Sequence, residues 1–587
     1  MKYNLINENF RSDYAANLLK SRGITDINMY KAPTADFLSS PTLLKNIAAG
    51  AGLYLRVVNS GGRILIVVDS DNDGYTSAAI MYQYTVRMNS KCKVDYWLHE
   101  GKQHGLQDHI DKLVQTDAPY DLIILPDSSS NDAKYHDMLD EIHIPCLILD
   151  HHLTDEKLSE NAIVINNQLS PKYENKELTG AGVVYQFCRY IDGITGNNWA
   201  DDYLDLAAWG IIGDMGSVLE MENRYIIYKG LSKEYIKNDF LKCLLNKQAY
   251  SITGKMGATW DDIIEKTNPI SIAFYIVPLV NAMIRVGTMA EKERLFLAFI
   301  DGSRMVPSGK RGAKGTMERV DVESTRECTN AKARQDKTKK EVVERLEAKI
   351  FKNDLLENKV LFVRLEDTDR FPSELNGLIA MQLAAKYKKP TIVARLNEQG
   401  FDRGSARGMN QSELRDFREF LLGSGYFEYA QGHANAFGIS IPDDRLRAFH
   451  VYANDALKDI DFGENVYDIN FLRSGEDADL SDLIIDLASQ NGIWGQGNPE
   501  PVVCVTHIYC KPSEIRIMGS NQDTLKIEYN GMSYLKFRAT ELIDKIKKYP
   551  SSAQLKIAVV GRPNLNEWMG RKTPQLFIDD CEIENAI

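Results

Sequence analysis

Three apolar runs near the start of this chain each end in residues that bind hard cations. Residues 63–68 run into Asp69-Ser70-Asp71-Asn72-Asp73-Gly74, residues 121–125 into Pro126-Asp127-Ser128, and residues 147–149 into Asp150-His151-His152. A fourth apolar stretch, residues 203–216, ends at glycines around Asp214. Carboxylates with one or two imidazoles are donors that suit Mn²⁺ or Mg²⁺. No thiolate accompanies them, which counts against zinc. Two such ions about 4 Å apart, sharing a carboxylate, hydrolyse phosphodiesters: one activates water and the other neutralises the phosphoryl oxygens. The chemistry on offer is that of a metal-dependent phosphoesterase.

For these residues to meet, the runs must be neighbouring strands of a parallel sheet, whose C-terminal edge is where α/β proteins build a ligand crevice. Residues 203–213 read as a helix or buried segment that carries Asp214 to that edge. Each piece alone has an ordinary reading: a His-His pair is usually a surface or core coincidence, and Asp214 serves as readily to cap the next element. Asp69-x-Asp71-x-Asp73-Gly74 also opens an EF-hand loop. That loop needs Glu at its twelfth position, here Ile80, and a helix where this chain has a strand.

Together these residues resemble the DHH superfamily of phosphoesterases and, within it, the RecJ-type single-strand exonucleases. Asp69-Ser-Asp71-Asn-Asp73-Gly74-Tyr-Thr76-Ser77, Asp127 at a strand end, Asp150-His151-His152, and Asp214 followed by Glu222-Asn223-Arg224 are similar to that family's four motifs, in order. Lesser landmarks are Glu100-Gly101 with His104-Gly105-Leu106, Gly180-Ala-Gly182, and Asn281-Ala282 with Arg285. Gly377-Leu-Ile-Ala, Lys389-Pro390-Thr391, Gly404-Ser405-Ala406-Arg407 and Gln431-Gly432-His433-Ala434-Asn435 look like the DHH-associated domain and its substrate-binding loops. Trp494-Gly495-Gln496-Gly497-Asn498-Pro499 resembles the lead into the RecJ-type OB-fold. Departures are Asn72 in place of a small residue, Ser128-Ser129-Ser130 after Asp127, Met215-Gly216-Ser217-Val218 after Asp214, and Arg370-Phe-Pro372 ahead of Gly377. None removes a ligand position.

The resemblance implies two divalent cations, Mn²⁺ or Mg²⁺. Asp127 would bridge them, Asp71 would hold one with Asp69 in support, and Asp73, His151 and Asp214 would hold the other. His152 would face the scissile phosphate or leaving group, and Asp150 would orient the imidazoles. Arg285, Ser405, Arg407, Gly432 and His433 would contact substrate, Arg407 as a guanidinium fork for phosphate. The implied activity is stepwise 5′ to 3′ hydrolysis of single-stranded DNA to mononucleotides, with the strand threaded between the catalytic and DHH-associated domains. The nearest alternative is a DHH enzyme for short RNA oligonucleotides or cyclic dinucleotides, though such proteins usually lack an OB module. A catalytically silent replication scaffold is countered by the intact ligand positions. A single-strand-binding protein or helicase is the implied partner, and a monomer the implied state.

At 587 residues the chain is too long for one core. The expected class is α/β: an N-terminal segment (1–60), a parallel-sheet DHH catalytic domain (61–225), a helical part of its core (226–320), a long connecting helix (321–355), an α/β DHH-associated domain (356–489) and a C-terminal β-barrel OB-fold (490–587). The barrel is read from five short strand-like runs after residue 500. OB-folds bind single strands by stacking bases on aromatics; Tyr529, Tyr534, Phe537 and Trp568 are candidates, although strand aromatics are more often core. Residues 274–281 read as a buried piece of a helical region, and the Asp-rich residues 475–482 as a solvated loop.

An apolar share of 44% with 26% charged residues is an ordinary soluble balance. A net charge of -12 excludes coating of nucleic acid by bulk attraction, so binding needs local patches. One candidate is residues 310–340, with ten Lys or Arg against five acidic residues, read as a flexible loop to Thr316 and then an amphipathic helix. The first residues lack a signal peptide's apolar core, and no uninterrupted apolar run reaches membrane-spanning length. Eight scattered cysteines form no Cys-x-x-Cys pair. The expectation is a cytoplasmic protein with reduced thiols and no membrane partner.

Overall fold

The computed structural model describes the whole chain except residues 102, 116–118, 155–157, 314, 367–370, 569–570 and 586–587, and the side chains of 568 and 571. Lys314, Arg370 and the Trp568 side chain therefore lie outside the described residues. The chain forms two compact units: residues 26–335 with 491–499, and residues 1–25 with 336–490 and 500–587. The division runs through the N-terminal segment and falls inside the long helix at 335/336.

The first unit is built on a five-stranded, all-parallel sheet. Its strands are β1 (Arg63–Val68), β2 (Lys93–Leu98), β3 (Leu122–Pro126), β4 (Cys146–Asp150) and β5 (Ala162–Asn166), in the order β2-β1-β3-β4-β5. Alternate side chains of each strand feed different layers. Ile64, Ile66, Val68, Leu122, Ile124, Leu147 and Leu149 join one core with the helices α1 (Ile47–Ser60), α2 (Asn72–Met88), α3 (Gly180–Thr195) and α4 (Leu204–Gly213). Leu65, Val67, Ile123, Leu125, Cys146 and Ile148 join a second with Leu106, Ile110, Leu113 and Leu139. Burial on both faces explains the unbroken apolar runs. The strand order reverses direction between β1 and β3, and a crevice opens at such a switch point beyond the C-terminal strand ends. Asp69, Asp71 and Asp73 follow β1, and Asp127 follows β3.

Helix α5 (Val277–Val286) belongs to the same unit and is preceded by a π-turn over Ile272–Ile276. Contrary to the expectation of a buried piece, Phe274 is 65% and Tyr275 40% exposed. The stretch Pro269–Val286 is long and apolar enough to cross a membrane by composition, although Asn281 and Arg285 interrupt it, and 56% of it is buried inside the protein. Ile272, Ile276, Val280 and Met283 belong to the main core.

Helix α6 (Val320–Lys352) occupies the expected place of the connecting helix. Its basic stretch is largely neutralised. Arg319 pairs with Asp239 and Asp321, Arg326 with Glu318 and Glu323, Arg334 with Glu291, Lys339 with Asp336 and Lys340 with Glu344. A reading of this stretch as a nucleic-acid patch is not supported, because long-range charge counting ignores local pairing.

The second unit holds two large sheets besides a two-stranded one. In the first, β6 (Leu361–Leu365), β7 (Thr391–Leu396), β8 (Phe401–Arg407), β9 (Tyr429–His433) and β10 (Ala436–Pro442) take the order β9-β10-β8-β7-β6, parallel only between β6 and β7. Helix α7 (Asn376–Tyr387) packs on β7 and β8, and Phe417, Phe449, Phe437 and Ile439 fill the core of the opposite face. The second sheet has seven strands where five were expected. It contains β11 (Phe471–Ser474), β12 (Val503–Cys510), β13 (Arg516–Met518), β14 (Thr524–Tyr529), β15 (Met532–Lys536), β16 (Leu555–Trp568) and β17 (Arg571–Asn585), in the order β11-β12-β16-β17-β15-β14-β13. Tyr534 is fully buried there and is a core residue, while Phe537 is 53% exposed.

The Asp-rich stretch is not a solvated loop. Asp477 pairs with Arg11, Asp479 with the buried Arg473, and residues Leu480–Ala488 are helical. Arg473 also donates to Asn9, and the N-terminal strand Lys2–Leu5 pairs in parallel with Val466–Ile469. All eight cysteines are free.

Candidate metal centre

Asp127 sits one residue beyond β3 with its N–H bonded to the Leu149 carbonyl at 2.8 Å, so sheet pairing continues up to the functional carboxylate. Its φ of 67° is left-handed, an uncommon conformation for an aspartate that turns the chain sharply at the sheet edge. Asp71 caps α2, accepting from the Gly74 N–H at 3.0 Å, which places Asp73 in the first helical turn. His151 follows β4 directly. Asp214 caps the end of α4, and Met215 after it is again left-handed at 63°.

These elements bring three overlapping groups of donor atoms together, each with its members within 4.8 Å: Asp69, Asp71 and Asp127; Asp73, His151 and Asp214; and Asp127, Asp150, His151 and His152. His151 Nε2 lies 3.1 Å from an Asp127 oxygen and 3.5 Å from an Asp214 oxygen. Asp69 Oδ1, Asp73 Oδ2, Asp127 Oδ1 and His151 Nε2 are buried without a hydrogen-bond partner. Buried polar atoms left unpaired are costly, and these four converge. The donor set, mostly carboxylate oxygen with one imidazole nitrogen, fits a pair of Mn²⁺ or Mg²⁺ ions.

The electrostatics of the metal-free pocket say the same. Burial, reinforced by neighbouring carboxylates, pushes Asp73 up to about 7, Asp214 up to about 8 and Asp127 well above the usual range. Burial raises Asp69 to about 6, against the opposing pull of His104. The backbone supplies some relief: α3 points its N-terminus at the cluster, and the Ala181 N–H donates to Asp73 at 3.1 Å. A side chain at Gly180 would put its Cβ 2.3 Å from an Asp127 oxygen, so that approach requires glycine.

The two histidines are held in different protonation states. Burial, with the charge of His152 beside it, lowers His151 to about 4, leaving a neutral imidazole able to ligate. Burial also works against charge on His152, but the Asp150 hydrogen bond and carboxylate outweigh it and raise His152 to about 10. Asp150 accepts from His152 Nδ1 at 2.7 Å and from the backbone N–H groups of His151 and His152. Ser130 N–H donates to its other oxygen, and Asn166 in turn donates to the Ser130 hydroxyl and the His152 carbonyl.

His104, which the sequence reading noted only as a landmark, places Nδ1 2.6 Å from Asp69 Oδ2. Ser130 and Asn166 were not singled out as supports; their contacts join separate strand ends, and nothing in local spacing marks them. Glu222, Asn223 and Arg224 do structural work near Asp214. Glu222 accepts from Tyr173, Asn175 and Gln186. Asn223 donates to the carbonyls of Glu177 and Ser217. Arg224 donates to the carbonyls of Tyr30 and Gly492.

Of the expected substrate residues, Arg285 lies on α5 within electrostatic reach of Asp71. Ser405, Arg407, Gly432 and His433 form their own group on the mixed sheet of the second unit, on strands rather than in loops. Arg407 pairs with Ala436, which pairs with His433; Ser405 pairs with Gly438, which pairs with Gln431. Residues paired across strands project to the same face, so Arg407, His433, Ser405 and Gln431 share one face with Gly438 leaving a gap between rows. The Arg407 guanidinium donates to the Ala406 carbonyl and lies over Gly377. Gly404 answers a packing need, since a Cβ there would stand 2.1 Å from the Val393 carbonyl oxygen.

A doubly wound parallel sheet with an acidic, histidine-containing cluster at its switch point defines a metal-site protein of the α/β class. The family description "DHH family, N-terminal domain" matches residues 63–211, and "RecJ OB domain" matches residues 476–580. The SPbeta prophage-derived YorK protein of Bacillus subtilis, whose description as a single-strand DNA-specific exonuclease is itself provisional, is 34% identical over 99% of this chain and 98% of its own length. The single-stranded-DNA-specific exonuclease RecJ of Bacillus subtilis is 26% identical over 94% of this chain and 65% of its own. Among solved structures, Thermus thermophilus RecJ in complex with Mn²⁺ shares the fold with a TM-score of 0.71 at 18% identity, covering 100% of this chain and 80% of that one. The chain belongs to the RecJ family of DHH proteins.

Proposed function

We propose that this chain is a metal-dependent exonuclease that hydrolyses phosphodiester bonds of single-stranded DNA from the 5′ end, releasing mononucleotides. The observation that carries the reading is the set of ligand groups linked through Asp127 and His151, with four buried donor atoms among them left unpaired. In this reading Asp69, Asp71, Asp73, Asp127, His151 and Asp214 would hold the two ions, Asp127 being the carboxylate common to both, with Asp71 and Asp69 serving one and Asp73, His151 and Asp214 the other. When bound, two such ions supply water activation and charge neutralisation at the phosphoryl group. His152, kept cationic by Asp150, donates to the scissile phosphate or the leaving oxygen. Arg285 contributes a fixed positive charge on the substrate side of Asp71. Ser405, Arg407, Gly432 and His433 hold substrate phosphate, supported by the strand face that Ser405, Arg407 and His433 share on the mixed sheet and by the exposed backbone of Gly432 beside it. The names of the relatives support the DNA substrate, and the resemblance of the motifs supports the polarity. The protein acts in the cytoplasm as a monomer, with a single-strand-binding protein or helicase as its working partner.

The test is digestion of an oligodeoxynucleotide labelled at either end, with Mn²⁺ or Mg²⁺, beside Asp127→Ala. The expected result is progressive release of mononucleotides from the 5′ end and a loss of at least about a thousandfold in the variant, in keeping with removal of electrostatic stabilisation at a reacting phosphate. Turnover of short RNA or cyclic dinucleotides without DNA cleavage would overturn the substrate assignment.

A further inference from the structure

The π-turn before α5 has a cause in the sequence and a consequence at the surface. Pro278 has no N–H to offer the carbonyl of Phe274 four residues earlier, and its ring crowds that carbonyl. The helix widens over Ile272–Ile276 to accommodate it. Phe274 and Tyr275 are carried outward, 65% and 40% exposed, while Ile272 and Ile276 on either side are fully buried.

Downstream, the positions of the helix that escape full burial continue the same stripe, apart from Val286 at its last residue. Pro278, Asn281 and Arg285 are partly accessible at spacings of three and four residues, while Leu279, Val280, Ala282, Met283 and Ile284 between them are buried. Residues so spaced lie along one helix face. The stripe ends at the metal centre: α5 packs against α2, whose N-cap is Asp71, and Arg285 lies within reach of that carboxylate. Eleven residues of helix separate Phe274 from Arg285, roughly 16 Å at the α-helical rise, which is the span of a few nucleotides of an extended strand. Single exposed aromatics need no explanation. Two adjacent ones, on a π-turn, in line with an arginine at the reaction centre, are a different case.

We propose that Phe274 and Tyr275 form a stacking platform for the bases of the single-stranded substrate a few nucleotides from the scissile phosphate, with the stripe through Asn281 to Arg285 as the track between. The inference rests on the single-strand reading above. Stacking on aromatics tolerates any base, because every base presents a π-face. The platform therefore favours unpaired strands of any sequence and discriminates against duplex, whose base faces are already covered. It positions substrate and takes no part in bond breaking.

The experiment compares the wild type with the F274A/Y275A double variant and an F274W/Y275W variant. The substrates are a dinucleotide and a long oligodeoxynucleotide, and binding of the long strand is also read by fluorescence anisotropy in an Asp127→Ala background. KM and Kd for the long strand are expected to rise about tenfold to a hundredfold in the alanine variant, as loss of base stacking predicts. The same variant should leave kcat and all dinucleotide constants unchanged, and tryptophan should restore the long-strand values. Unchanged long-strand KM and Kd, or an equal loss on the dinucleotide, overturns the platform. Absence of DNA cleavage by the wild type would overturn the functional reading instead, and the binding comparison would still decide whether the aromatics engage a single strand.

Discussion

At the metal centre the charged groups are buried at strand ends, whereas on the mixed sheet the expected substrate residues stand along a strand face that is exposed at His433 and half-buried at Arg407. Asp69, Asp73 and Asp127 are no more than 1% exposed and keep ligand atoms unpaired. His433 and Gln431 are exposed, and Arg407 and Ser405 half-buried, on regular strands whose backbone pairing is complete through the motif. The first arrangement concentrates like charge in a low-dielectric pocket, which makes it a strong cation trap and a source of instability when empty. The second leaves its polar groups at least partly accessible, so it costs the fold little. Holding ions and admitting a nucleic-acid strand, the roles proposed for the two regions, make opposite demands on burial.

That contrast can be broken by substitution. Asp150→Asn removes the carboxylate that keeps His152 cationic while leaving every proposed ion ligand in place; activity should fall about 10- to 100-fold, as loss of an outer partner at a metal site generally does. Steady-state kinetics with saturating Mn²⁺ would check this, and a variant as active as the wild type would remove His152 from the mechanism. On the sheet face, Arg407→Ala should raise KM about tenfold with kcat preserved, the mark of a binding contact that is equally strong before and during reaction. A fall in kcat alone would make the two regions alike.

Metal removal sharpens the same comparison through pH. Asp69, Asp73 and Asp214 titrate near 6, 7 and 8 in the metal-free fold, against 3.8 ordinarily. An acid whose pKa rises on folding is held more tightly protonated in the native state, so its ionisation opposes folding progressively as pH climbs from about 4 to about 8. Bound cations cancel that penalty. The rise in Tm produced by Mn²⁺ over a chelator should therefore grow by a few degrees between pH 6 and pH 8 in thermal unfolding. A gain that is flat with pH would place the source of the stabilisation outside these carboxylates.

The metal motifs were legible because each is local: an apolar strand and the acidic or imidazole residues at its end are contiguous, so periodicity and type suffice to read both. The parallel sheet followed from the same runs. Where partners are distant the reading failed. The Asp-rich residues 475–482 looked solvated until Arg11, more than four hundred positions away, was found pairing with Asp477. The basic stretch 310–340 looked like a patch until Asp239 and Glu291 were found neutralising Arg319 and Arg334. Residues 274–281 looked buried because apolar composition does not reveal that Pro278 shifts two aromatics to the surface.

What the sequence determined by itself was the set of donor residues, their order, and the strand–carboxylate units that carry them, since these depend on interactions between near neighbours in the chain. Only the tertiary structure decided that the units meet at a β1/β3 switch point, that His104 touches Asp69, and that His151 is neutral while His152 is cationic. Those outcomes depend on burial and on distances between residues remote in sequence, and the free energy of a charge is set by what surrounds it in space.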